Sequence, residues 1–185
     1  MKKVIPLLLL LLFAITTHAQ TATWIDQLKE FRSAVYQRDK EKAKQFFKFP
    51  VANPGASFWS ACSGYNDEET GKKLTALAQK EAPLTEKLFV LYFDQIFHKQ
   101  FVTSFLKLKT SELYEKGQTQ TPDIEDDSEH FYLMIAKYDA ATGDLSLTIR
   151  GRSTVEGEDG GEYSYQYKFR VINGQLTFIT TFIAG

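Results

Sequence analysis

From Trp24 the chain alternates apolar and polar residues with a helical period. Trp24, Ile25, Leu28, Phe31, Ala34 and Val35 fall three and four apart, with Asp26, Lys29, Glu30 and Arg32 on the opposite side. That spacing predicts an amphipathic helix with one buried stripe. Asp39 stands where an N-cap belongs, predicting a second short helix over 40–47. The stretch "KFPVANPG" ends it, because Pro50 and Pro54 lack the amide a helix needs and Gly55 permits a sharp turn. Residues 52–82 show no sustained period; they read as a long connection with partial structure, holding a possible short helix over 74–80.

Periodicity returns in "PLTEKLFVLYFDQIFHKQFVTSFLKL". Thr85 can cap a helix over 84–97 that is apolar almost all round, the signature of burial on more than one side. Phe101, Val102, Phe105 and Leu106 continue the spacing as a second helix or a bent continuation. Residues 115–129, "EKGQTQTPDIEDDSE", read as a polar loop. The last third changes period from helical to alternating. Residues 131–138, 145–155, 162–172 and 175–184 are β-branched and aromatic runs separated by "DAATGD", "EGEDGG" and Asn173-Gly174. Asn-Gly predicts a type I′ hairpin turn, whose two central residues need positive φ. Short links between successive strands imply an antiparallel meander, and helices followed by strands imply an α+β domain with the helices on one face of a curved sheet.

Within the third strand, Tyr163, Tyr165, Tyr167 and Phe169 share one face, and Ser164, Gln166, Lys168 and Arg170 share the other. A tyrosine buries a large apolar body and keeps a hydroxyl that needs a partner. The ring face therefore reads either as core with hydroxyls satisfied at its edge, or as a pocket wall looking toward the helix at 84–97. Tyr92 and Trp59 are the further aromatic candidates for such a wall.

The first twenty residues add an address. Lys2 and Lys3 precede an apolar run from Val4 to Ile15, and Thr17-His18-Ala19 offers small residues for a signal peptidase. Residues 1–19 are therefore expected to be a cleaved export signal, with no lipid-anchoring cysteine and no later span of membrane length. A single domain over 20–185, periplasmic or secreted, is the expectation. The whole chain carries a net charge of −1; removing residues 1–19 takes two lysines and no acid, leaving 20 cations against 23 acids. That mild acidity argues against a nucleic-acid partner, which requires a basic surface. The basic stretch 37–48 is interleaved with Asp39 and Glu41 and reads as a solvated helix face. Cys62 is the sole cysteine, so no intramolecular disulfide forms, and its surroundings lack a nucleophile motif. The reading is a buried or inert thiol.

Candidate acid–base chemistry narrows to Asp94 and His98, four apart in the apolar helix, where a carboxylate could hold an imidazole for proton transfer. The alternative is an Asp–His hydrogen bond of structural value only. The acidic runs 123–130 and 156–162 lack the ligand order of a calcium loop, and His130 lacks a partner set for zinc. They read as solvated loop charge, and no metal or cofactor is expected.

Taken together, the two N-terminal helices, the "QFFKFPV" break, the heavily buried third helix and the ending "GEYSYQYKFRVINGQLTFITTFIAG" resemble small exported bacterial domains of the nuclear transport factor 2-like fold. The resemblance covers residues 24–185. It implies a strongly bent sheet wrapped around a long helix, forming a cone with an internal pocket. The segment 52–82 departs from it, standing where a short hairpin is usual, and could cap or fill the cone mouth. No enzyme motif of that fold can be matched residue by residue. The resulting expectation is a non-catalytic domain that binds a small apolar or amphipathic ligand, or an envelope protein, through Tyr163, Tyr165, Tyr167, Tyr92 and Trp59. A lyase or isomerase of the polyketide-cyclase or ketosteroid-isomerase type using Asp94 and His98 is the alternative. Self-association through the outer sheet face, carrying Lys168 and Arg170, is a third expectation.

Overall fold

The N-terminal apolar stripe forms helix α1 (Trp24–Tyr36), opened by Thr23, whose hydroxyl accepts the Asp26 amide. Ile25, Leu28, Phe31, Ala34 and Val35 are its buried positions, as the spacing requires. Asp39 caps α2 (Lys40–Ala43), which tightens into a 3-10 turn over Lys44–Phe46. The structure, a computed structural model, describes residues 23–55, 57–63, 67–125, 130–153 and 162–184. The expected leader, residues 1–19, lies outside the described residues, as do half of the acidic run 123–130 and all of the run 156–162 but Glu162.

The connection at 52–82 is more ordered than its pattern suggests. It contains α3 (Phe58–Ser63) and α4 (Glu68–Gln79), the latter capped by Asp67. Phe58, Trp59 and Cys62 of α3 and Leu74 of α4 enter the main core. Burial of these few large side chains among polar neighbours is what holds the segment, and so few apolar residues show no period.

The single helix expected over 84–97 is instead two short ones, α5 (Glu86–Leu91) and α6 (Phe93–Ile96), followed by α7 (Lys99–Lys107) and α8 (Thr110–Lys116). Thr85 caps α5 as expected. The chain leaves helical geometry at Tyr92 (φ −106°, ψ 25°) and at Phe97 (φ −113°, ψ 65°). A broken helix can bury rings on several sides: Phe89, Phe93, Phe97, Phe101 and Phe105 all reach the core. The two breaks leave carbonyls that a continuous helix would use, and side chains from elsewhere must meet them.

Residues 115–129 also differ from the expected loop. After Gly117 closes α8 in the left-handed region (φ 70°), the chain forms two short strands, β1 (Gln118–Gln120) and β2 (Ile124–Glu125). Both pair with β3 (His130–Asp139), which runs on through β4 (Asp144–Ser153), β5 (Tyr163–Ile172) and β6 (Gln175–Ala184) as an antiparallel meander. The described residues thus form a six-stranded open sheet in the order β1-β3-β4-β5-β6, with β2 beside β1 on the β3 edge. Asn173 (φ 52°) and Gly174 (φ 78°) both take positive φ between β5 and β6, the geometry an Asn-Gly hairpin requires. Gln27 of α1 clamps that turn, donating to the Gly174 carbonyl at 2.7 Å and accepting the Leu176 amide at 2.8 Å.

One irregularity interrupts the β5–β6 ladder. Phe169 pairs with Phe178 but Lys168 pairs with Thr180, so Ile179 is an extra residue in β6. This bulge lies between two otherwise regular ladders. The helices cover the face bearing Met134, Ala136, Leu147, Ile149, Tyr167 and Phe169, all buried. Phe31 of α1 stands at its centre, with ring centroids 5.1 Å from Phe169 and 5.6 Å from Phe97.

Candidate functional site

The ring row of β5 grades from core to surface along its length. Phe169 and Tyr167 are fully buried, while Tyr165 and Tyr163 are half-buried. The Tyr167 hydroxyl donates to the Ile96 carbonyl at 2.8 Å, and its ring packs edge-on against Phe101 with centroids 4.7 Å apart. Ile96 ends α6, so the tyrosine supplies the donor that the broken helix lacks at that point. Burial raises the Tyr167 hydroxyl well above its ordinary pKa, and it stays neutral.

Two further aromatic candidates are also structural in their contacts. Trp59 is buried and donates its indole N–H to the Ala82 carbonyl at 2.7 Å, tying the two ends of the α3–α4 segment together. Tyr92 sits at the first helix break with its ring centroid 6.0 Å from that of Trp59. Tyr167, Trp59 and Tyr92 therefore fill the interior under the helices.

At the other end of the row the surroundings open. The Tyr163 ring lies across Gly151 of β4: a Cβ at that glycine would fall 2.1 Å from Tyr163 Cζ. Only glycine leaves room for the ring to lie down on the neighbouring strand. Its hydroxyl then reaches across to α7 and donates to Gln100 Oε1 at 3.2 Å. Tyr165 follows with its ring centroid 5.4 Å from that of Tyr163.

Beside Tyr163 lies a cleft of about 430 Å³ at the ends of β3, β4 and β5. Phe131, Arg150, Arg152, Asp123 and Glu162 share its lining with Tyr163. The Arg152 guanidinium pairs with Asp123 at 2.9 Å and stands 5.7 Å from the Phe131 ring centroid, within cation–π range. Arg150 is exposed and has no ion-pair partner among the described residues. The registers put Phe131, Arg150 and Arg152 on the helix-free face, whereas the Tyr163 ring lies over Gly151 on the helix face. A guanidinium beside an aromatic ring suits a ligand with a planar anionic group, because its forked donors match a carboxylate and its plane stacks on rings.

The acid–base candidates are separated by the helix breaks. Asp94, on α6, turns to the surface and pairs with Arg38 at 2.7 Å, its side chain about half exposed. His98 lies beyond the Phe97 break and is the N-cap of α7, its Nδ1 accepting the Phe101 amide at 3.4 Å. It is buried, and desolvation lowers its pKa to about 4, keeping it neutral. The four-residue spacing places both groups on one face only in an unbroken helix. Cys62 is buried, and burial pushes its thiol far up, so it carries no thiolate. Among the described residues no three His, Cys, Asp or Glu side chains converge as a metal site, and no helix is long and apolar enough to cross a membrane.

Arg150, Arg152 and Phe131 are not among the sequence candidates. Strand alternation in "LSLTIRGRS" already sets both arginines opposite Ile149, but pairing them with Phe131 needs the β3–β4 register. The glycine between them carries the missing signal, since a ring must occupy the space it leaves. No protein-family model matches the chain, and no curated protein matches it either.

Proposed function

We propose that this chain is an exported, non-catalytic binding domain of the nuclear transport factor 2-like type, which takes a small amphipathic anion in the cleft beside Tyr163. The observation that carries this reading is the convergence of Phe131, Arg150 and Arg152 on one cleft of about 430 Å³, where Arg150 has no ion-pair partner among the described residues. Ring surface would meet the apolar part of the ligand, and the guanidinium would fix its carboxylate or comparable anionic group. Helices packed on one face of an antiparallel meander support the fold assignment, and the export signal read in residues 1–19 supports a periplasmic or secreted address. Binding is favoured over the Asp94–His98 chemistry because Asp94 is engaged with Arg38 at the surface while His98 is buried, so these two groups do not face a common space.

A thermal-shift screen of the mature chain against small amphipathic carboxylates, with their neutral amides as controls, tests the reading. A ligand should raise the melting temperature of the wild type, and both Phe131→Ala and Arg150→Gln should abolish the shift. Equal shifts by acid and amide, or a shift that survives both substitutions, would overturn it.

A further inference from the structure

We infer that the helix-free face of the sheet binds an extended, carboxylated oligosaccharide. This rests on the reading of the chain as a binding domain, and extends the ligand from one cleft to a whole face. Cross-strand partners share a face, so the registers define transverse rows. One row holds Lys137, Ser146 and Lys168, the next Thr148, Gln166 and Phe182, and the third Arg150 and Ser164. The middle row is amphipathic: the Phe182 ring is half exposed beside Gln166, whose amide donates to the Thr148 hydroxyl at 3.1 Å.

Cations flank that row on both sides. Arg150 lines the cleft described above, and Lys137 lines a second cleft of about 480 Å³ together with Lys168 and Gln166. Neither Lys137 nor Arg150 has an ion-pair partner among the described residues, whereas Lys168 and Arg170 both engage Asp144. Ser146, the partner of Lys137, lies four residues from Arg150 on β4, which separates the two cationic positions by about 13 Å at the rise of a strand. The three rows carry three cations, Lys137, Arg150 and Lys168, and no acid, while Arg152 and Arg170 beyond them are ion-paired with Asp123 and Asp144. One small anion cannot reach both clefts; a chain bearing repeated carboxylates can.

The chemistry of the middle row favours sugar over peptide. A peptide lying on a sheet face leaves its own amides unpaired, because the backbone groups beneath it are already used in the ladders. A pyranose has no amide backbone to satisfy. Its C–H face can rest on Phe182 while its hydroxyls meet Gln166, Thr148 and Ser146, and its carboxylates meet Lys137 and Arg150.

Titration calorimetry of the mature chain with oligogalacturonate and oligomannuronate, their methyl esters, the monomeric acids and polyglutamate decides the matter. At least one oligouronate should bind, more weakly in high salt, and its ester should bind at least about tenfold more weakly. Phe182→Ala and Lys137→Gln are both exposed substitutions, and each should weaken the oligomer about tenfold or more while the melting temperature stays unchanged. Binding of neither oligouronate overturns the inference, as does equal binding of polyglutamate. If a small anion binds and is lost in Arg150→Gln, yet Phe182→Ala and Lys137→Gln have no effect and chain length adds nothing, the single-cleft reading stands and this one falls.

Discussion

On one face of β5, Tyr167 lies under α6 and α7 with its hydroxyl spent on the Ile96 carbonyl, and Phe169 packs against Phe31, Phe47 and Phe178. On the other face, Gln166, Lys168 and Arg170 look away from the helices and meet only each other's neighbours, Thr148 and Asp144. The same ten residues therefore do two jobs that do not compete. The ring face sets stability, because removing it from water is the dominant favourable term of folding. The polar face can be altered at little cost, which leaves it available for recognition. A tyrosine-rich strand is thus poor evidence for a ligand wall by itself; the half-exposed end at Tyr163 is the part that opens onto space.

Substitutions can break that contrast in order of size. Phe169→Ala should lose about 3–5 kcal/mol in denaturant unfolding, as expected for a fully enclosed ring. A loss under 1 kcal/mol would mean that the inner face is not the stability core. Next is acid. His98 has a folded-state pKa near 4, below its ordinary 6.5, so its neutral form stabilises the fold. That contribution is complete above pH 6.5 and is lost as the pH falls toward 4, about 3 kcal/mol in all at ~1.4 kcal/mol per unit. His98→Asn keeps a capping side chain and should flatten stability over that window; an unchanged pH slope would assign the acid sensitivity elsewhere.

A smaller effect is expected from Tyr167→Phe, which leaves the ring and removes the donor to Ile96. It should cost about 1–2 kcal/mol, the value of an unsatisfied buried carbonyl, measured by the same unfolding experiment. A neutral result would show that water or a shift of α6 replaces the hydroxyl. On the outer face, Arg150→Gln should leave the unfolding midpoint where it is, since the exposed guanidinium has no partner among the described residues. A clear destabilisation there would erase the division of labour between the faces.

Which parts of this were legible in the chain follows from how far each signal reaches. The stripe of α1, the caps at Asp39 and Thr85, the four long strands and the Asn173-Gly174 turn rest on local chemistry, and they appear where the pattern puts them. The breaks at Tyr92 and Phe97 do not show, because a run that is apolar all round looks the same whether one helix or two buries it. β1 and β2 escape notice for the opposite reason: "QTQ" and "IE" contribute only Thr119 and Ile124 to the interior, and their pairing is dictated by β3. Of the candidate site, Tyr163 was visible in the sequence. Arg150, Arg152 and Phe131 come together on the helix-free face only through the β3–β4 register, and Asp94 and His98 part company because their shared face depended on an unbroken helix.

The extra residue Ile179 has a consequence for the molecule's outer texture. Alternation along β6 works like a two-letter reading frame: Leu176 and Phe178 point inward, and an unshifted strand would send Thr180 and Phe182 inward after them. The bulge inserts one letter. Downstream of it Thr181 is the buried residue and Phe182 is delivered to the opposite side, half exposed beside Gln166. Closing the bulge with Ile179 retained would pair Gln166 with Thr181 and turn Phe182 inward, whereas deleting Ile179 would regularise the ladder and leave Phe182 opposite Gln166. The aromatic plate on the outer face therefore depends on Ile179 being held out of the ladder, a backbone irregularity and not a change of side chain.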